Sequence, residues 1–179
     1  MDKEIVVIIG GPGTGKTTLI AELARRGYTC YPEISREVTL EARRQGIEQL
    51  FLENPLLFSE LLLEGRRKQY RSALEETCSV VFIDRGIPDV LAYMHYIGDS
   101  YPSGFDDACR EHRYSRIFLL PPWEEIYVSD DARYENFEQS KLIHHHLCET
   151  YSGYGYELVE VPRGTAQHRA EFILQSLGH

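Results

Sequence analysis

The sequence contains few positively charged residues for a chain of 179. Nineteen lysines and arginines stand against 28 aspartates and glutamates, which gives a formal net charge of -9. A surface of this sign repels phosphate backbones and anionic lipid head groups. We therefore expect no nucleic-acid partner.

Long apolar segments and a signal-peptide pattern are also absent. The apolar run 5–9 is short and leads into glycines, whereas a membrane-spanning helix needs about 20 apolar residues. We expect no membrane span and a cytoplasmic location. Apolar residues make up 42% of the chain and charged residues 26%, which is typical of one globular domain over residues 1–179.

Cysteine is scarce, and its spacing matches no metal site. Cys30, Cys78, Cys109 and Cys148 lie far apart and form no CxxC pair. Reduced, mostly buried thiols are the favoured interpretation, with two disulfides as the alternative.

Short apolar, β-branched runs alternate with segments of helical periodicity. This alternation predicts an α/β doubly wound domain with right-handed crossovers. The predicted strands cover residues 5–9, 28–31, 79–83, 116–120 and 157–161, and the predicted helices cover 16–26, 35–44, 55–74, a segment from near 135 to 151, and one around 170–177.

The most specific motif is Gly10 to Thr17, which matches G-x-x-x-x-G-K-[ST] between a predicted strand and a predicted helix. Such a loop surrounds a triphosphate with backbone N–H groups. We expect Lys16 to reach the β- and γ-phosphates and Thr17 to bind Mg²⁺. ATP and GTP both remain open, and an ordinary glycine turn is the alternative. The predicted nucleotide-binding residues are Gly10, Gly11, Pro12, Gly13, Thr14, Gly15, Lys16, Thr17 and Thr18.

An aspartate directly follows the third predicted strand. Asp84 stands where a carboxylate can join a magnesium shell and serve catalysis, although a turn-capping aspartate is the alternative. Arg85 and Asp89 follow closely, so we expect them to contact the substrate. Arg85 could pair with a phosphate or with Glu33.

Charged residues also follow the second predicted strand. Glu33 and Arg36 are expected at the same sheet edge as the glycine loop, because the second and third strands should neighbour the first. Glu33 is the candidate base for an acceptor hydroxyl. The alternative is an acidic pair, Glu33 and Glu37, at a helix N-terminus. Together with Arg85 and Asp89, Glu33 and Arg36 should converge on one cleft that suits a small polar acceptor.

A proline-bounded segment over residues 121–135 is the candidate lid. Arg133 is expected to reach over the triphosphate from this segment as a catalytic group, and a solvated surface arginine is the alternative. His144, His145 and His146 are consecutive and cannot converge on one metal ion, so they are interpreted as a solvated helix face.

The sequence resembles the P-loop AAA-type ATPases and kinases that are similar to the ribosylnicotinamide kinase domain of a bifunctional NAD-biosynthesis regulator. This resemblance implies a nucleotide-kinase-like α/β/α fold with a five-stranded parallel sheet. It also implies a lid around Arg133 and a purine held near residues 161–165. The residues that carry it are Gly10 to Thr17, Glu33 to Glu37, Asp84 to Gly86, Asp89, Asp131, Arg133 and Gly155 to Pro162.

Two functions remain open. The first is a kinase that transfers the γ-phosphoryl group of ATP or GTP to a small hydroxyl acceptor with Mg²⁺. The second is a nucleotide-dependent binding switch or NTPase without such an acceptor. A concave pocket beside the γ-phosphate would favour the kinase, whereas a filled space or an opening onto a partner surface would favour the switch.

Overall fold

The computed structural model describes residues 3–127 and 136–179. Within these ranges five strands form one all-parallel sheet, as predicted. They are β1 (Glu4–Ile9), β2 (Thr29–Tyr31), β3 (Val80–Asp84), β4 (Arg116–Leu119) and β5 (Leu158–Glu160). Their order in the sheet is β2-β3-β1-β4-β5.

Helices cover both faces of the sheet. Leu19 and Ile173 pack on one face, and Ala73, Ala92 and Leu147 pack on the other. This three-layer arrangement confirms the predicted α/β class. The helices are α1 (Lys16–Arg25), α2 (Ser35–Arg44), α3 (Leu50–Glu53), α4 (Pro55–Glu75), α5 (Ile87–Ile97), α6 (Gly104–Glu111), α7 (Phe137–Gly153) and α8 (Ala166–Leu177), with a 3₁₀ helix at Glu124–Ile126.

Strand β1 lies at the centre of the sheet and is buried on both faces. Val6 and Ile8 belong to the core under α1 and α8, whereas Val7 and Ile9 belong to the core on the opposite face. A strand covered on both sides is apolar throughout, which explains its unbroken β-branched run. Ile8 is paired with Asp84 of β3, so the carboxyl ends of these two strands lie side by side.

One predicted neighbour relationship is wrong. Strand β3 pairs with β1, but β2 pairs only with β3 and lies at the edge of the sheet. After β2 the chain runs through α2, α3 and α4 and then forms β3, which lies between β2 and β1 in the sheet. The segment after β2 therefore reaches the glycine loop across the end of β3.

The starts of α4 and α7 agree closely with the prediction, and both helices have an asparagine cap, whereas α8 begins at Ala166 rather than near residue 170. The side chain of Asn54 accepts a hydrogen bond from the N–H of Leu57 at 3.1 Å, and Pro55 begins α4 as predicted. Helix α7 begins at Phe137, because Asn136 and Gln139 form a capping box there. The sequence analysis assigned no bounds to α3, α5 and α6.

The cysteines are reduced, and the three consecutive histidines have different neighbours. All four thiols are free; Cys109 is buried and the other three are half-buried. His144 lies against Cys148, His145 pairs with Glu149 and His146 lies against the ring of Tyr96, so the three imidazoles diverge. His144 and His146 are half-buried rather than fully solvated. Within residues 3–127 and 136–179, no helix is long and apolar enough to cross a membrane.

Candidate functional site

The glycine loop joins the end of β1 to the start of α1. Gly13 and Gly15 have φ angles of 73° and 89°, which glycine adopts readily. A Cβ on Gly10 would lie 2.8 Å from the carbonyl oxygen of Leu120, so no larger residue fits there. The hydroxyl of Thr14 donates to the carbonyl of Gly11 at 2.9 Å and closes the loop on itself.

Lys16 is buried at the first position of α1, with 7% of its surface exposed. Its ammonium group donates to the carbonyls of Gly10 and Gly11 at 2.8 and 3.0 Å. Burial and the nearby Arg85 lower the pKa of Lys16 to about 8, although Asp84 and Glu33 oppose the shift. Lys16 therefore also stabilises the glycine loop through these two hydrogen bonds.

Asp84 ends β3 beside the loop and is 4% exposed. Its Oδ1 is buried and has no hydrogen-bond partner among the described residues. Burial raises the pKa of Asp84 despite the opposing effect of Lys16 and Arg85. The capping of α5 is done by Asp89, whose carboxylate accepts the N–H of Gly86 at 2.9 Å, so Asp84 is not needed as a cap.

Glu33 lies between two arginines. Its carboxylate is 2.8 Å from Nε of Arg85 and 3.2 Å from Nη2 of Arg66, and it accepts the N–H of Ser35 at 3.0 Å. Burial alone would raise the pKa of Glu33. Arg66, Arg85, the N–H of Ser35 and Lys16 outweigh burial and lower that pKa to about 2.

Arg66 is the residue of this cluster that sequence reasoning missed. It lies on α4, is 2% exposed, and also donates to the carbonyl of Gly86 at 3.2 Å. It occupies the buried stripe of α4 together with Leu62, Gln69 and Ala73. An arginine at a core-facing position of a long helix was the available signal, because arginine is rarely fully buried without a partner.

Arg36 and Asp89 lie on different sides of this cluster. Arg36 lines the cleft over the glycine loop and is exposed. Asp89 is buried, and besides capping α5 it accepts a hydrogen bond from the hydroxyl of Tyr151 at 2.5 Å. Arg133 lies outside the described residues, as does most of the candidate lid.

Two cavities meet at this edge of the sheet. A polar cleft of about 260 Å³ is lined by the glycine loop with Glu33, Asp84 and Arg85. A largely apolar pocket of about 230 Å³ lies beside it. The lining of both includes Pro12, Ser35 and Arg85, so the two spaces are neighbours on either side of these residues. The apolar pocket is also lined by Phe51, Phe58, Leu62, Arg66, Asp89 and Tyr93.

The family model described as an AAA domain matches residues 5–169. The chain belongs to this AAA domain family. No curated protein matches the sequence. The three solved structures described next show the fold alone, because their identities to this chain are 21%, 16% and 15%.

Three solved kinases and kinase-like structures resemble this AAA domain. NadR protein in complex with NR superimposes with a TM-score of 0.76 and 21% identity over 99% of this chain, and the chain spans 52% of NadR. The deoxyadenosine kinase of M. mycoides, with dCMP and dCDP bound, superimposes with a TM-score of 0.70 and 16% identity, over 97% of this chain and 98% of the kinase. The thymidylate kinase of Ehrlichia chaffeensis superimposes with a TM-score of 0.64 and 15% identity, over 99% of this chain and 100% of the kinase. This AAA domain thus has the fold of a P-loop nucleotide kinase and the glycine loop of a nucleotide-binding protein.

Proposed function

We propose that this protein is a kinase that transfers the γ-phosphoryl group of ATP or GTP to a small hydroxyl acceptor. The observation that carries the proposal is the apolar pocket that adjoins the cleft of the glycine loop and shares Pro12, Ser35 and Arg85 with it. A phosphoryl acceptor needs a bounded space next to the γ-phosphate, because phosphoryl transfer depends mainly on positioning. A binding switch has no need of such a pocket.

In this proposal the glycine loop and Lys16 hold the triphosphate. Successive backbone N–H groups and the N-terminus of α1 supply partial positive charge, and Lys16 adds a full charge. Reaching the phosphates requires the ammonium group of Lys16 to exchange its bonds to Gly10 and Gly11 for phosphate oxygens. Arg133 is proposed to approach the same phosphates from the lid segment.

The residues present also fit a magnesium ion. Thr17 offers a hydroxyl and Asp84 a carboxylate with an oxygen that lacks a partner within the described part of the chain. Mg²⁺ prefers such hard oxygen ligands and usually keeps several water or phosphate oxygens as well. When bound, the ion neutralises charge on the β- and γ-phosphates.

Glu33 is proposed to orient the acceptor hydroxyl at the junction of the cleft and the pocket. A carboxylate with a pKa of about 2 stays ionised and is a weak base at neutral pH. It can still accept a hydrogen bond from the hydroxyl and aim its oxygen in line with the γ-phosphate. Phosphoryl transfer has a loose transition state, so the protein mainly needs to position the hydroxyl and stabilise charge.

The lining of the pocket indicates the kind of acceptor. Phe51, Phe58 and Tyr93 contribute aromatic rings to the lining, and Arg66 and Asp89 contribute charged groups. This combination suits a flat ring that carries a hydroxylated group, as a nucleoside does. The NR complex of NadR and the deoxyadenosine kinase of M. mycoides support the same class by analogy. Arg36 is proposed to contact the anionic or hydroxylated part of the acceptor.

A screen for acceptor-dependent formation of ADP or GDP tests the proposal. Nucleosides, vitamins and small alcohols are incubated with protein, Mg²⁺ and either nucleotide, and stimulation above basal hydrolysis is measured. Thr39→Trp should reduce any stimulation because Thr39 lines the pocket. Leu40→Trp is the matched control, since Leu40 is 53% exposed on the same helix. Stimulation by no compound, or equal stimulation in Thr39→Trp, would favour the nucleotide-dependent switch instead.

A further inference from the structure

Arg169 joins the last helix to the glycine loop. It lies on α8, 155 residues after Thr14, and is 2% exposed. Its Nη1 donates to the carbonyl of Thr14 at 2.8 Å. A Cβ on Gly15 would lie 2.9 Å from the same Nη1, so the guanidinium group lies directly behind the start of α1.

The positive charge of Arg169 is not balanced by any carboxylate within residues 3–127 and 136–179. Its Nε and Nη2 are buried without a hydrogen-bond partner there, and its Cζ lies 5.6 Å from the centre of the Trp123 ring. Burial lowers the pKa of Arg169, and no neighbouring charge opposes the shift. Arg66 is equally buried but is paired with Glu33 at 3.2 Å.

An unpaired buried cation is costly to a folded protein, because it loses hydration without gaining a counter-ion. The start of α1 makes the cost larger, since the helix dipole places further positive potential at the same point. A ligand of opposite charge would offset both contributions. The cost therefore indicates a function for the charge in binding.

The position of Arg169 indicates which ligand. With Trp123 and Gly164 it lines a cavity of about 320 Å³ on the side of the loop away from Glu33. Gly13, Gly15 and Thr18 line both this cavity and the polar cleft. An anion in the loop is thus within the field of the Arg169 guanidinium, which is weakly screened because the group is buried.

We propose that Arg169 is a nucleotide-binding residue whose buried charge is balanced by the phosphate chain of the bound nucleoside triphosphate. Its hydrogen bond to Thr14 fixes the loop, and its charge adds to that of Lys16 and the α1 dipole. This inference rests on the nucleotide binding in the proposed function. It does not depend on the acceptor or on phosphoryl transfer.

The test compares Arg169→Met, which removes the charge, with Arg169→Lys, which keeps it. Affinities for ATP, GTP and inorganic tripolyphosphate are measured by calorimetric titration with Mg²⁺, after circular dichroism confirms that each variant is folded. Arg169→Met should bind all three ligands about tenfold or more weakly. Arg169→Lys should lose clearly less affinity than Arg169→Met, because it keeps the charge although it lacks the planar guanidinium group. Tripolyphosphate is included because it carries the charge without the base.

Arg26→Met is the matched control. Arg26 also contacts α8, through the carbonyl of Gln167 at 3.1 Å, but its charge is paired with Glu22 at 2.8 Å. Its loss should leave all three affinities unchanged. The proposal is overturned if Arg169→Met binds as tightly as the unmodified protein. It is also overturned if Arg169→Lys loses as much affinity as Arg169→Met, because the guanidinium would then serve only the shape of the loop. Binding by the unmodified protein without any acceptor activity would instead count against the kinase alone.

Discussion

Arg85 and Glu33 form an ion pair, with Nε of the arginine 2.8 Å from Oε2 of the glutamate, although they follow different strands. Arg85 has a φ of 68°, which is unfavourable for a residue with a side chain. Its N–H donates to the carbonyl of Ile8 at 3.0 Å, so the turn is held from both sides. Strained backbone of this kind occurs at functional sites, where the surrounding contacts maintain it. Here it aims the guanidinium group between the cleft and the apolar pocket.

The same ion pair predicts a pH-dependent stability. The pKa of Glu33 falls from an ordinary 4.5 to about 2 in the folded protein, so the folded state favours the ionised carboxylate. The stabilisation is present above pH 4.5 and is lost as the pH falls through about 2. We expect the free energy of unfolding to be lower in Glu33→Gln than in the unmodified protein at pH 6, with the difference shrinking towards pH 2. Urea unfolding at several pH values measures it, and a constant difference would contradict the assignment.

Lys16→Ala should abolish binding of ATP and GTP while the protein stays folded. The charge of Lys16 is directed to the ligand, although its ammonium group also bonds Gly10 and Gly11. We therefore also expect a modest fall in melting temperature. Calorimetric titration checks the binding, and Lys68→Ala, on an exposed position of α4, is the control for loss of one positive charge. Undiminished affinity in a folded Lys16→Ala protein would remove the basis of the nucleotide site.

Asp84→Asn should retain nucleotide binding and lose most magnesium-dependent turnover. The amide keeps the size of the side chain but offers the metal shell a neutral oxygen in place of a charged one. Because Asp89 caps α5, the substitution removes no cap. Hydrolysis measured over a range of Mg²⁺ concentrations tests the expectation. Turnover equal to that of the unmodified protein would show that Asp84 is not a metal ligand.

The fold could be predicted from the sequence because its signals are local. The apolar run of β1, the glycine loop and the Asn54 cap each specify their own segment. Asp84 was found for the same reason, since it directly follows a buried strand. The order of the strands depends on contacts between distant segments, so the position of β2 at the sheet edge was not predicted.

Long-range partners could not be predicted either. Arg66 is 33 residues from Glu33, and Arg169 is 155 residues from Thr14. No spacing rule connects such positions, because helix packing decides which side chains meet. Asp89 is a related case: the prediction that it contacts the substrate stays a prediction, and it lines the apolar pocket, but its hydrogen bond with Tyr151, 62 residues away, could not be predicted.

Tyr151→Phe should destabilise the protein by about 2 kcal/mol, because it removes a buried hydrogen bond to a carboxylate. The hydroxyl of Tyr151 is 2.5 Å from Asp89, and the ring is fully buried. Tyr28→Phe is the control, since Tyr28 is half-buried and packs on the opposite face of the sheet from Tyr151. Thermal and urea unfolding give the two differences. Equal stability of Tyr151→Phe and the unmodified protein would mean that Asp89 needs only the N–H of Gly86.

Glu33→Gln tests the proposed chemistry most directly. The substitution keeps the side chain's shape but removes the charge that Arg66 and Arg85 balance. An amide also has one oxygen fewer to accept a hydrogen bond from the acceptor's hydroxyl, so the hydroxyl is aligned for in-line attack less often. We expect acceptor-dependent transfer to fall by about 10²-fold. Affinity for ATP or GTP should stay nearly unchanged, because the triphosphate is held by the glycine loop.

Basal hydrolysis should fall much less in Glu33→Gln than transfer does, because water needs no oriented acceptor pocket. The control is Glu37→Gln, which alters an exposed acidic residue in the first turn of α2 and tests the alternative of an acidic pair at the start of this helix. Both variants are assayed with the acceptor that gives the largest stimulation, and ADP or GDP formation is followed with and without it. If Glu37→Gln loses transfer and Glu33→Gln keeps it, the carboxylate between the two arginines has only a structural function.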